Sequence, residues 1–177
     1  MRLVLLAAAL GAVVGLVRRR RPLHAAAPRL RLWPVLVAAL VLQAGAGRVD
    51  GGGLGLLLAS YVGLVAFAMA NLATVGMGLV GVGLALNLAV IAANDGMPVR
   101  PAALVRAGVA SPAEAVTLEF DRKRHLERPG DRLTALADIV PVRPVGEVVS
   151  FGDLVLAMGS ADALAHLLRR RPAPQGR

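Results

Sequence analysis

Four stretches of this chain, residues 3–17, 32–46, 54–70 and 72–93, contain no charged side chain. That pattern constrains the fold more than any other feature. An apolar helix of about 20 residues matches the roughly 30 Å hydrocarbon layer of a bilayer, and a chain with four such runs has too little polar sequence to bury them in a soluble core. Composition agrees: 56% of the residues are hydrophobic and mean hydropathy is +0.66. Soluble domains hold roughly 45–50% apolar residues even with glycine counted, so disorder, collagen-like repeats and an ordinary soluble fold are excluded.

Residues 3–17 would make a short span of about 23 Å, with Arg2 and Arg18 snorkelling to the two interfaces. A signal peptide cleaved at Ala25, Ala26 and Ala27 is the rival reading. The four arginines 18–21 stand between the apolar core and that site, the reverse of the usual order, so a retained span is expected. A fifth candidate, residues 151–168, carries Asp153, Ser160, Asp162 and His166. At about 100° per residue these do not gather on one face, which argues for a buried span over an interfacial helix.

Arginine placement sets the orientation. Positions 18, 19, 20, 21, 29 and 31 in the first connection are all Arg, whereas the second has only Arg48 and Asp50. The first connection is therefore assigned to the cytoplasm. Counting from it puts the N-terminus outside, residues 94–150 outside, and the tail with Arg169, Arg170, Arg171 and Arg177 inside. The expected architecture is an all-α, polytopic plasma-membrane bundle: four helices in residues 1–93, a mostly helical extracytoplasmic cap in 94–150, and a fifth helix with a basic cytoplasmic tail in 151–177.

Within the cap, eight basic residues balance eight acidic ones. Pro101 and Gly108 bracket a short helix. Ser111, Pro112 and Glu114 form a capping box that predicts a helix from Pro112 to about Glu127, stopped by Pro129 and Gly130. Asp131 is expected to cap a further short helix with Leu133, Leu136 and Val140 on one face. So few large apolar side chains make a poor independent core, so the cap should rest on the bundle.

Cysteine is absent, excluding disulfides and thiolate chemistry. The net charge of +9 comes almost wholly from Arg, with Lys123 the single lysine, and only 3% of residues are aromatic. No arginine cluster is interleaved with stacking residues, so nucleic acid is not an expected partner. Gly76, Gly78 and Gly81 spell G-x-G-x-x-G but lie inside an apolar run without a preceding strand, which points to helix packing and no dinucleotide cofactor. Gly81, Ala85, Ala89 and Ala93, and likewise Ala7, Gly11 and Gly15, recur every four residues as small-residue stripes.

The polar candidates for function are Asn87, His125, Asp138, Asp153, Asp162 and His166. Asn87 inside an apolar helix needs a partner, with Tyr61, Ser60 and Gln43 the best by type. Asp162 and His166 at i, i+4 can pair on one helix face. His125 follows Asp121 by four residues, a start for a metal site without the third ligand a site requires, so no metal is expected. Ser111 and Ser150 both read as helix caps.

Asn94-Asp95-Gly96-Met97-Pro98-Val99 after a long apolar helix, Lys123 to His125, Thr134 to Asp138 followed by Ile139, Val140 and Pro141, and Ser150-Phe151-Gly152-Asp153 opening the last helix together carry a likeness. With these motifs the chain resembles a bacterial family of small multi-span membrane proteins catalogued as a domain of unknown function. The resemblance implies an integral membrane protein and no established activity. The leading functional expectation is a non-enzymatic accessory or scaffolding protein acting through helix packing, partnered by the bilayer and by a membrane protein or a second copy. The alternative is transport or lipid handling through Asn87, Asp153, Asp162 and His166. A membrane-embedded enzyme using His125, Asp138 and Asp153 comes third.

Overall fold

The computed structural model describes residues 2–17, 30–48, 52–120 and 123–168. The arginines at 18–21 and 29 and those of the tail, on which the orientation argument rests, lie outside the described residues, as do Asp50 and Asp121. Five apolar helices appear, four at the uncharged runs and one at the fifth candidate: α1 (Arg2–Val17), α2 (Trp33–Gly45), α3 (Gly53–Ala70), α4 (Met77–Asn94) and α6 (Phe151–Leu168). A short α5 (Pro101–Ala107) lies between α4 and α6. Three of them, α3, α4 and α6, are long and apolar enough to cross a membrane, at 18 residues each; α1 and α2 are apolar but shorter.

The fourth run does not form one helix from residue 72. Asn71 ends α3, and residues 71–76 turn before α4 begins behind Gly76, whose φ of 86° is a left-handed value that suits glycine. Asn71 is buried and works as a clamp: its Oδ1 accepts from the Arg31 N–H (2.8 Å), and its Nδ2 donates to the carbonyls of Arg31 and Phe67 (both 2.8 Å). Asn71→Ala is expected to leave these groups unpaired and cost about 1–3 kcal/mol, read as a lower melting temperature in detergent.

α6 is sandwiched between α1 and α4. It runs parallel to α1, since Gly11 abuts the Ala161 backbone and Gly15 abuts Ala165 and Leu168. Against α4 it is antiparallel: Gly83 faces Gly152 and Leu156, while Gly76 faces Gly159 and Ala163. Ala85, Ala89 and Ala93 are exposed, so the close approach on α4 is made by Gly76 and Gly83. The reason is the seven-residue spacing of Gly76 and Gly83, about two turns, which meets the same spacing of Gly152 and Gly159 on α6. Gly81 packs against Ala68 of α3.

The cap is not mostly helical. Beyond α5 it holds two small sheets: β1 (Met97–Val99) pairs in parallel with β2 (Arg124–Leu126), and β3 (Val140–Val142) pairs antiparallel with β4 (Glu147–Val149). A bridge between Val99 and Asp138 brings a third segment alongside β1. The expected helix from Pro112 does not propagate. Its capping box forms, with the Ser111 N–H donating to Glu114 Oε2 (2.9 Å) and the Glu114 N–H donating to Ser111 Oγ (3.4 Å), yet only one 3-10 turn follows, Glu114–Val116. Leu118 and Phe120 alternate, and both pack with Leu126 on the core of Val99, Ala103, Leu104, Ala107, Ala115 and Val148. A helix would turn those two side chains about 200° apart, whereas an extended chain brings both to that core. The helix expected after Asp131 is likewise a single 3-10 turn, Thr134–Leu136, because Leu133 adopts φ 54° and Val140 joins β3.

The cap rests on the helices through shared core. Met97 and Ala137 of the cap are buried together with Ala46, Leu57, Val90 and Ile91 of α2, α3 and α4. Asn94 stitches the same seam, accepting from the Arg132 N–H (2.6 Å) and donating to the Arg132 carbonyl (2.9 Å), and Lys123 Nζ donates to the Gln43 carbonyl at the end of α2 (2.6 Å).

Candidate functional site

The densest polar arrangement lies where β4 turns into α6. Ser150 caps that helix: its Oγ accepts the Asp153 N–H at 2.9 Å. The same hydroxyl donates to Asn87 Oδ1 (2.8 Å), and Asn87 Nδ2 donates to Asp153 Oδ1 (2.7 Å). Three residues thus close a ring between α4 and α6, with Asn87 only 1% exposed and Ser150 fully buried. Gly152 makes the ring possible, because a Cβ there would fall on the Asn87 amide. Tyr61 of α3 lies beside Asn87 and Asp153. The other partners suggested for Asn87 are engaged elsewhere: Ser60 Oγ donates to the Leu57 carbonyl (2.6 Å), and Gln43 accepts from Lys123 through its main chain.

Asp138 sits on the cap side of the same seam. Its backbone is fixed on both sides, the N–H donating to the Pro98 carbonyl and the carbonyl accepting from the Arg100 N–H, each at 3.0 Å. Its carboxyl is 1% exposed and faces Arg124, whose Nε is 3.2 Å from Oδ2. Neither carboxyl oxygen accepts a hydrogen bond among the described residues. Burial pushes its pKa up to about 7; Arg124 opposes the rise and Asp153 adds to it.

The remaining sequence candidates are dispersed. His125 lies on strand β2, and its Nε2 pairs with Asp131 at 3.2 Å; the proposed i, i+4 partner Asp121 lies outside the described residues. Asp162 and His166 do pair on α6, Oδ1 to Nδ1 at 2.9 Å, with side chains 42% and 41% exposed. They lie nine and thirteen residues beyond Asp153, about 14 and 20 Å along the helix axis, and so belong to a separate place. Among the described residues, no three His, Asp or Glu side chains gather as a metal site.

Two arrangements escaped sequence reasoning. Glu147 accepts the N–H groups of Arg2 (2.9 Å) and Leu3 (3.1 Å), so it caps α1 from the far end of the chain. Burial raises its pKa, but hydrogen bonds from these donors outweigh that effect and hold it at about 2. An open cleft of about 650 Å³ is lined by Leu118, Phe120, Arg124, His125 and Arg128, with Glu127 tied to Arg100 by two hydrogen bonds of 2.8 and 3.0 Å. No local spacing announces the Glu147 cap, which joins residues at opposite ends of the sequence, and the cleft depends on the path taken by one stretch around residues 116–129 against Pro101.

No curated protein and no solved structure matches this chain. A protein-family comparison does match it: residues 30–163, from before α2 to within α6 and including the Asn87, Ser150, Asp153 and Asp138 seam, fit the family of unknown function DUF5317. With well over half its length matched, the chain belongs to DUF5317.

Proposed function

We propose that the protein is a multi-pass plasma-membrane protein of bacterial type that acts without catalysis, as an accessory or scaffolding component. Five helices cross the bilayer, with the N-terminus outside, residues 94–150 forming an extracytoplasmic cap, and the C-terminus in the cytoplasm. The observation that carries this reading is the closed ring of Asn87, Ser150 and Asp153. Its polar groups satisfy one another between closely apposed Gly83 and Gly152 backbones, an arrangement suited to fixing the cap rigidly on the helices. The parallel packing of α1 and α6 supports five crossings, because the first and fifth of five spans must run the same way. Exposed apolar side chains on α1 and α2, including Leu5, Leu10, Trp33 and Val41, supply surface for lipid and for a membrane partner or a second copy.

Transport through Asn87, Asp153, Asp162 and His166 would need these groups to share one polar space. An enzyme would need His125, Asp138 and Asp153 to converge on a reacting atom. Asn87 is instead bonded to Asp153, His125 to Asp131, and Asp162 to His166.

The natural absence of cysteine makes the test direct. In intact cells, Thr117→Cys in the cap should react with a membrane-impermeant maleimide, and Gln175→Cys in the tail should react only after permeabilisation. Labelling of both, or of the tail alone, would reject the topology. A photo-crosslinker at Val116 should then give a discrete adduct with a membrane protein or a second copy. Solute flux in reconstituted vesicles with no adduct would reject the scaffolding role.

A further inference from the structure

The cap meets the helices across two carboxylates, Asp138 from the cap and Asp153 from α6, with a single guanidinium, Arg124, set against the first. Asp153 has the Asn87 amide as its donor. Asp138 has no hydrogen-bond donor among the described residues, its carboxyl is buried, and its backbone is fixed on both sides, so the main chain does not carry it out to water. Arg124 is pulled two ways. Its Nε faces Asp138, yet the side chain is 34% exposed and lines the open cleft beside Phe120 and His125. A buried ionised carboxylate with one partly solvated counter-ion and a like charge nearby is costly, whereas a neutral carboxylic acid is cheaper there and gains a donor.

We propose that the Asp138 carboxyl is a proton-binding site built into the seam between cap and helices, and that its proton decides whether Arg124 is drawn inward or released to the cleft. Among the described residues, the charged and titratable groups acting on it come from several sides: Arg124 on β2, Asp153 on α6, Glu147 on β4 and Tyr61 on α3. Their balance, dominated by burial, puts the titration at about 7. An acid whose native pKa lies above its value of 3.8 in the unfolded chain makes the native state bind more protons between those two values. The stabilisation is therefore complete below the lower value and is lost as pH rises through about 7. Below that point the seam is closed and Arg124 faces the cleft; above it Arg124 is held by Asp138.

Infrared difference spectroscopy on the full chain in nanodiscs tests this. A buried carboxylic-acid carbonyl band should disappear as pH is raised through neutrality. It should be missing in Asp138→Asn and unchanged in Asp162→Asn. Arg124→Gln should move the midpoint up and Asp153→Asn should move it down, each by several tenths of a pH unit or more. These opposite shifts carry the test even if Asp138→Asn does not fold. A band that survives Asp138→Asn, or a midpoint unmoved by both neighbouring substitutions, overturns the site. A midpoint that depends on sodium against potassium would assign the pair to a metal cation and overturn the proton. The seam exists whichever way the chain lies in a bilayer, so failure of the maleimide topology leaves this inference standing.

Discussion

Gly152→Leu is expected to prevent α6 from seating on α4, and to carry a large loss of stability. A Cβ at this position falls on the Asn87 Oδ1 atom and lies 2.8 Å from both Asn87 Cγ and the Gly83 carbonyl. The second obstacle is backbone, which no rotamer change removes. Overpacking of a tight interface costs roughly 1–3 kcal/mol for extra methylenes, and a branched side chain wedged between two helix backbones exceeds that range. Gly55→Ala is the matched control, because its Cβ would meet nothing within 4 Å and alanine favours the helix by up to about 1 kcal/mol. Size-exclusion profiles and thermal melting in detergent should show a collapsed monodisperse peak for Gly152→Leu and an unchanged or higher melting temperature for Gly55→Ala. Equal behaviour of the two would mean that α4 and α6 do not approach as closely as described.

Asn87→Leu comes next. From sequence alone, an intramembrane amide serving a polar path predicts that this change leaves the protein folded. The geometry reverses that expectation, since leucine removes the acceptor for Ser150 and the donor to Asp153 together. Each buried group left unpaired costs about 1–3 kcal/mol. The result should be a melting temperature lowered by many degrees and rapid proteolysis near residues 94–150. Asn87→Gln, which keeps both functions on a longer stem, should recover part of the loss. Full stability of Asn87→Leu would remove the ring as the fastening of the cap.

The helices were legible because hydrophobicity is a local signal. Uncharged runs such as 54–70 need no partner to declare themselves, and even the short runs 3–17 and 32–46 become helices. Packing faces were less legible. The four-residue rhythm of Gly81, Ala85 and Ala89 reads as one interface, but only Gly81 of the three is buried, against α3, and α4 turns Gly83, Asn87 and Val90 inward beside it, a choice set by where α6 lies. In the cap, Ser111 and Glu114 made the local contacts that a helix start requires, and the tertiary demand of Leu118 and Phe120 then drew the chain into an extended path. The site divides in the same way. Asn87, Asp138 and Asp153 could be singled out by residue type, whereas Ser150 as the third member of the ring with Asn87 and Asp153, and Arg124 as the guanidinium facing Asp138, follow only from contacts between distant segments.

The pairing of α1 with α6 bears on how the protein is made. A ribosome delivers α1 well before α6, so Gly11 and Gly15 wait while the whole intervening chain is made for Ala161 and Ala165 to arrive. During that interval α1 is an apolar helix without the partner that covers Gly11 and Gly15. The α1–α6 contact is therefore a clasp that closes only once the later of the two helices has been made, and both are made fast in the same step.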